Sequence, residues 1–430
     1  MEKLRIGLLG LGQIGSGVYS ILTAKKDYFT REIGVQFILQ KIAVRHPGKK
    51  RAVRVPRALL TTNALSVVRD PAIDVVVELI GGTREARTYV LEALRRGKHV
   101  VTANKALLAE HGDEIFETAS RRKRWIFFEA SVGGGIPVIK ALREGLVANR
   151  IDSIHSIING TSNYILTRMT EDHSDFTEAL KEAQKKGYAE ADPKLDIEGV
   201  DAAHKLAILA RFAFGGKVRF REIYCEGISR IRSEDIAFAE EFGYRVKLLA
   251  IAKSSRDGIE ARVQPTLLPK SHILANVNGS YNAILMHGDE VGNVLFYGRG
   301  AGARPTGSAV LSDLVDIAKL QTNCFDDAAL RMRAIRPALK IKNISSILSR
   351  YYLRFHVIDQ PGVLSKISRV LGLHRISISD VIQKERSEGS VVPLILLTHD
   401  AHERDVRNAI SAIDRLRVVQ GKSQVIRIEV

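Results

Sequence analysis

Leu4–Gly15, LRIGLLGLGQIG, decides how the first third of the chain folds. An apolar run ends at Gly10 and a GxGxxG turn follows at once, so a buried strand hands over to a helix. In that setting Gly10 permits the tight turn, Gly12 lets the main chain approach a pyrophosphate, and Gly15 lets helix and strand pack closely. The first N–H groups of the helix, around Gln13 and Ile14, then face an anion. Further apolar runs lie at Val35–Val44, Asp74–Ile80, His99–Thr102 and Trp125–Phe128, with helical spacing at Arg84–Arg95 and Ala106–Arg121. Continuous apolar strands alternating with helices predict a parallel sheet covered on both faces. Residues 1–136 therefore read as a Rossmann-type dinucleotide-binding domain.

The end of the second strand bears on which dinucleotide. A carboxylate there would hold a ribose 2′-hydroxyl. The sequence instead has Arg45, followed by His46, Lys49, Lys50 and Arg51. An arginine fork suits a 2′-phosphate, so NADP is expected before NAD, unless Arg45 is only a solvated loop cation. Ligands of such sheets bind beyond the carboxyl ends of the strands. Two more loops lie there, Ile80–Thr83 and Thr102–Lys105, so Lys105 is either a cation at the cofactor edge or a helix-start lysine in water.

From residue 137 the pattern changes to an α+β mixture extending to 336. Pro137–Ala148, Ser162–Met169, Thr177–Lys186 and Asp201–Phe214 have helical spacing. Val246–Ala252, Ile259–Leu267 and His272–Val277 read as strands. Ser308–Leu320 is helical and can return to the first sheet. Pro337–Ser349 reads as a linker. The tail, 350–430, has the order βαββαβ: Tyr351–Ile358, Gly362–Leu373, Ile376–Gln383, Val391–Thr398, His402–Leu416 and Gln424–Val430. That is a ferredoxin-like unit, and Pro393 argues that its strand is an edge strand or starts late.

The net charge of +17 raises nucleic acid as a partner. Yet the basic clusters His46–Arg51 and Arg121–Arg124 are not interleaved with aromatics and no nucleic-acid motif occurs, so a field attracting anionic cofactor and substrates is the expected reading. Cys225 and Cys324 stand alone, outside any redox or zinc pattern. No apolar run reaches membrane-span length, and the N-terminus has neither an h-region nor a cleavage site, so no membrane partner and a cytoplasmic location are expected.

Asp201 and Lys205 are i and i+4 on one helix. On spacing alone this is a solvated bridge of little worth. The surrounding run changes that. GYAEADPKLDIEGVDAAHKLAILA (Gly187–Ala210) resembles the signature of homoserine dehydrogenases. Blocks in matching order agree: VTANKALLA from Val101, FFEASVGGGIPVI from Phe127, INGTSNYIL from Ile158, HILANVNGSYNAI from His272 and GRGAGARPTGSAVLSDLVD from Gly298. FHVIDQPGVL, Phe355–Leu364, resembles the opening of an ACT domain.

The resemblance implies an NAD(P)-dependent oxidoreductase that interconverts L-aspartate 4-semialdehyde and L-homoserine on the route to threonine, methionine and isoleucine. It implies Lys205 as proton donor to the carbonyl oxygen and Lys105 as a second catalytic lysine beside the nicotinamide and substrate. It implies Glu190 and Asp201 as substrate ligands, and Gly187 and Gly302 as main chain along the cofactor. Glu129, Val132, Gly134 and Ile136 match a monovalent-cation site, expected to hold sodium. An amino-acid effector, threonine, is implied at Asp359–Leu364, unless the ACT domain serves only dimerisation. A homodimer or homotetramer is expected. Arg299, Gly307 and Arg375 depart from the family pattern. The competing reading is a non-enzymatic amino-acid-sensing regulator with a degenerate Rossmann domain; the intact Lys105, Glu190, Asp201 and Lys205 count against it.

Overall fold

Strands that bury both faces pair in parallel, and six do so here. The computed structural model describes residues 2–322, 337–383 and 389–429. It divides into two compact units, one of residues 1–154, 203–222 and 282–339, the other of 155–202, 223–281 and 340–430.

In the first unit β1 (Glu2–Leu9), β2 (Val35–Ala43), β3 (Leu60–Thr61), β4 (Val75–Glu78), β5 (His99–Thr102) and β6 (Ile126–Phe127) form a parallel sheet in the order β3-β2-β1-β4-β5-β6. Strand order reverses between β1 and β4, which places the crevice over the glycine turn. Helix Ala303–Thr322 packs on helix Gln13–Ala24 and buries Val310, Leu314 and Ile317 in the same core as Leu4, Ile6 and Leu8 of β1. The approach is close enough that a Cβ on Gly17 would collide with the carbonyl of Ala303. The helix expected at Pro137–Ala148 shrinks to one turn, Val138–Lys140, running into a wider π-type turn at Ala141–Gly145.

Downstream lie β7 (Ile151–Ile157), β8 (Tyr224–Cys225), β9 (Tyr244–Ser255), β10 (Gly258–Pro269), β11 (Tyr281–Gly288) and β12 (Gly292–Arg299). The β7, β11 and β12 strands escaped the sequence reading; the β12 residues are half-exposed and mixed in polarity, so no period stands out. The strand expected at His272–Val277 is instead a short 3₁₀ turn, Ile273–Asn276. His272 Nδ1 accepts from Leu274 N at 3.1 Å and Asn276 Nδ2 donates to the Lys270 carbonyl at 3.0 Å, so side chains close the turn.

The tail forms β13 (Leu348–Ile358), β14 (Ile378–Ile382), β15 (Val391–Thr398), the two-residue β16 (Ala401–His402) and β17 (Gln424–Ile428), with helices Val363–Leu373 and Glu403–Ile413. Their core joins Leu353, Phe355, Ile367, Leu371, Val406 and Ile413. This βαββαβ unit does not stand apart in the second unit: β17 pairs in parallel with β10 at Thr266↔Arg427 and Leu267↔Ile428, giving the run β9-β10-β17-β13-β15-β14. The expected edge strand around Pro393 lies inside the sheet, between β13 and β14. However, β14 ends at Ile382 opposite Ile395, so Pro393 falls past its end, where a missing N–H costs no ladder bond among the described residues. The expected linker is also ordered. Pro337 and Leu339 hydrogen-bond Lys217 in the first unit, while Lys340 and Lys342 hydrogen-bond Ile259 in the second.

Candidate active site

The glycine turn has the geometry the motif requires. Gly10 sits at φ +97°, and a Cβ there would lie 2.7 Å from the Leu79 carbonyl; one on Gly15 would collide with the Gly10 carbonyl. Gly12 faces open space and caps helix Gln13–Ala24 with no side chain, which leaves the first N–H groups available to an anion. Around it lies a cavity of about 1040 Å³ lined by Gly10, Gly12, Gln13, Arg45, Arg51 and Arg304 among others. Ile14 and Gly15 are in the first helical turn behind that lining. Arg51 holds the basic loop in place, donating to the carbonyls of His46, Pro47 and Lys49 at 2.6, 3.0 and 2.8 Å. Arg45 meets Glu85 at 2.6 Å across an exposed pair, a contact weak enough for a ligand to replace. Gly302, φ +120°, accepts from Thr306 N at 3.1 Å and starts helix Ala303–Thr322.

Lys105 does not line that cavity. It is the first residue of helix Lys105–Arg121, a cation at the positive end of the helix dipole, where charge alone disfavours it. A buried network sets its place. Glu78, at the end of β4, accepts from Ile80 N at 2.9 Å and Thr102 Oγ1 at 2.6 Å; Asn104 Oδ1 accepts from Leu107 N at 3.1 Å as the helix cap, and its Nδ2 donates to the Gly82 carbonyl at 2.7 Å. Burial raises the Glu78 carboxyl above its ordinary range, against the hydrogen bonds it accepts. Neither residue was singled out from sequence, although a carboxylate inside the run DVVVELI was the available signal.

Helix Val200–Ala213 carries Asp201 and Lys205. Their exposures, 6% and 8%, exclude the solvated-bridge reading. In the second unit Asn159 Nδ2 donates to Asp201 Oδ2 at 2.8 Å and to Asp196 Oδ1 at 2.7 Å, while its Oδ1 caps helix Gly160–Glu171 at Ser162 N. This positioning pair, Asn159 and Asp196, is invisible in sequence because 42 residues separate Asn159 from Asp201. Glu190 lies exposed on the loop after helix Phe176–Lys185, its carbonyl accepting from Gln184 Nε2 at 3.2 Å; Gly187, φ +75°, ends that helix.

In the loop 129–136 of the first unit, Glu129 spends both carboxylate oxygens on main-chain N–H groups, from Ile139 at 2.8 Å and Lys140 at 2.7 Å. Its own N–H donates to Asp313 Oδ2 at 3.0 Å. Burial raises both carboxyls above their ordinary range, and at Asp313 the Glu129 charge adds to it. Val132, Gly134 and Ile136 complete a buried turn with Gly134 at φ +58°.

Cys225 Sγ donates to the Glu198 carbonyl at 3.2 Å, and burial together with Glu198 and Glu226 pushes the thiol up to about 11, so it remains a neutral thiol. No nucleophile is built around it. Cys324 lies outside the described residues.

Family models agree with this arrangement: homoserine dehydrogenase, NAD binding domain, matches residues 10–129, homoserine dehydrogenase matches 137–315, and the ACT domain matches 351–418. The chain is 45% identical over 438 residues to the homoserine dehydrogenase of Neisseria gonorrhoeae, covering 100% of this chain and 99% of that one. It belongs to the homoserine dehydrogenase family. The crystal structure of a homoserine dehydrogenase from Thiobacillus denitrificans superposes with a TM-score of 0.93 at 47% identity, covering 100% and 99% of the two chains. A hyperthermophilic archaeal homoserine dehydrogenase in complex with NADPH matches with a TM-score of 0.63 at 26% identity, over 75% of this chain and 99% of that one. The protein is thus a homoserine dehydrogenase, an NAD(P)-dependent oxidoreductase acting on a CH–OH group, and the reading as a non-enzymatic regulator is not favoured. No helix among the described residues is long and apolar enough to cross a membrane.

Proposed function

We propose that the enzyme interconverts L-aspartate 4-semialdehyde and L-homoserine with NADP, with Lys205 as the proton donor. The observation that carries this is a buried lysine one helical turn after an aspartate that Asn159 already orients. The nicotinamide supplies the hydride when bound. Lys205 gives a proton to the carbonyl oxygen as alkoxide character develops, and takes it back from the hydroxyl in the other direction. Asp201 and Glu190 receive the substrate ammonium, and Lys105 adds positive charge beside the reacting carbon. Gly187 and Gly302 offer main chain to the cofactor.

Arg45 supports NADP: its weak pair with Glu85 can be exchanged for a 2′-phosphate, a doubly charged acceptor suited to the guanidinium fork. The NADPH-bound archaeal relative agrees with that choice. A sodium ion fits the loop of Glu129, Val132, Gly134 and Ile136. Glu129's carboxylate is already occupied by main-chain N–H groups, so main-chain carbonyl oxygens of the loop would hold the ion. At the ACT domain Gly362, φ +86°, opens helix Val363–Leu373 without a side-chain cap, which supports capture of an amino-acid carboxylate, that of threonine, at Asp359–Leu364. The functional division into 1–136, 137–336 and 350–430, a homodimer or homotetramer, a cytoplasmic location and a place in threonine, methionine and isoleucine synthesis belong to the same reading.

Absorbance of reduced nicotinamide with L-homoserine tests it. Lys205→Ala should lower kcat by about 10²–10⁴-fold with cofactor binding retained. Arg45→Ala should raise KM for NADP and leave that for NAD nearly unchanged. Full turnover in Lys205→Ala would refute the proton donor, and equal effects on both cofactors would refute the phosphate contact.

A further inference from the structure

A second large cavity has no part in this chemistry. It is a cleft of about 1080 Å³ in the second unit, between helix Glu403–Ile413 with the residues following it and the segment Tyr224–Arg232. Basic side chains outnumber carboxylates along its lining. Most of those carboxylates are already satisfied. Glu403 accepts from Arg427 at 2.9 Å and Arg407 at 2.8 Å, Glu226 from Arg427 and the Tyr224 hydroxyl, both at 2.7 Å, and Asp414 from Ser423 N at 3.2 Å. At the mouth, Arg230, Arg415 and Lys422 are exposed. Among the described residues Arg230 and Lys422 have no ion-pair partner, and Arg415 reaches only Ser411 Oγ, at 3.3 Å. Held cations over a floor whose acids are engaged create a positive field in a concave, partly desolvated space.

We propose that this cleft binds a small polyanion bearing carboxylate or phosphate groups, and that its occupancy is transmitted to the substrate-binding segment. The cleft wall is fastened to that segment. Ile228 N donates to the Ile197 carbonyl at 2.7 Å, and Cys225 Sγ to that of Glu198. Gly227 lies so close that a Cβ would collide with the Ile197 carbonyl. Ile197 follows Asp196, which shares the Asn159 amide with Asp201. A ligand that draws Arg230 inward therefore pulls on the backbone that sets Asp201. The site lies along the second helix of the βαββαβ unit, away from Asp359–Leu364 in sequence.

The transmission half rests on Asp201 as a substrate ligand; the binding half does not. The test is calorimetric titration of the full-length enzyme, saturated with reduced nicotinamide cofactor so that the dinucleotide pocket is filled. The probes are inorganic pyrophosphate and citrate. Saturable binding of at least one is expected, weakened tenfold or more in Arg230→Ala/Lys422→Ala and unchanged in Lys25→Ala/Lys26→Ala. Pyrophosphate alone would assign a phosphate ligand, citrate alone a carboxylate. Binding of neither, or equal binding in both double variants, overturns the site. The bound probe should shift KM for L-homoserine in wild type but not in Arg230→Ala/Lys422→Ala; binding without a shift overturns the transmission. The isotherms decide the site even if the enzyme fails to turn over homoserine.

Discussion

Lys247 shows how a single side chain can set a pH dependence. It is 3% exposed on β9, and its Nζ donates to the Val277 carbonyl at 2.6 Å and to Asn278 Oδ1 at 3.1 Å. Burial, aided by Arg245, lowers the ammonium to about 7. In the unfolded chain a lysine keeps its proton to about 10.4. Between pH 7 and 10 the unfolded state therefore binds one more proton than the folded state, and this residue makes stability rise with pH by about 1.4 kcal/mol per unit. Lys247→Met should lose that slope; urea unfolding of both proteins from pH 7 to pH 10 checks it, and parallel curves would refute it. Such a residue is not legible in sequence, because in YRVKLLAIAK a lysine reads as the solvent face of a strand, whereas β9 buries both faces around it. Lys105 and Lys205 entered the proposed site only through the long pattern around them. Glu78, Asn104 and Asn159 were not, since their meaning depends on partners across loops.

Among elements, the helix start at Asn104 would join stability to turnover through the role proposed for Lys105. Asn104→Ala removes the cap of helix Lys105–Arg121 and the brace on Gly82. The expected loss is about 1 kcal/mol for the cap. Because Lys105 follows the cap directly, kcat should fall as well. Asn104→Ser, which keeps a capping oxygen and loses the donor to Gly82, should recover part of the stability and only part of the turnover. Thermal melts and steady-state rates on the three proteins check this; recovery of full turnover in Asn104→Ser would show that the brace is idle. The strand–turn–helix opening and the βαββαβ tail were legible because their periods are strong and their turns carry glycine or proline. The two-residue β3, the β11–β12 hairpin and the docked segment after Pro337 were not. Their residues are stabilised by neighbours rather than by a period of their own.

At the scale of the molecule, the second unit is tied through its tail by buried charge. Arg427 on β17 joins Glu403, from the helix behind it, to Glu226, from the segment after β8. The Glu403 carboxyl is held low: burial would raise it, but the hydrogen bond and charge of Arg427 outweigh that. Arg427→Met takes the shared guanidinium from two carboxylates, leaving Glu403 with Arg407 and Glu226 with the Tyr224 hydroxyl, and should cost about 3 kcal/mol, read as a lowered urea midpoint; a change below about 1 kcal/mol would mean that water replaces the guanidinium. The pairing of β17 with β10 carries a last consequence. Cutting the chain after the catalytic part would uncover the main chain of β10 at Thr266 and Leu267, a short stretch that strands of other molecules could pair with. A shortened enzyme should therefore be lost to self-association before it is lost to unfolding. The tail thus also acts as a guard on Thr266 and Leu267, keeping their main chain from other molecules.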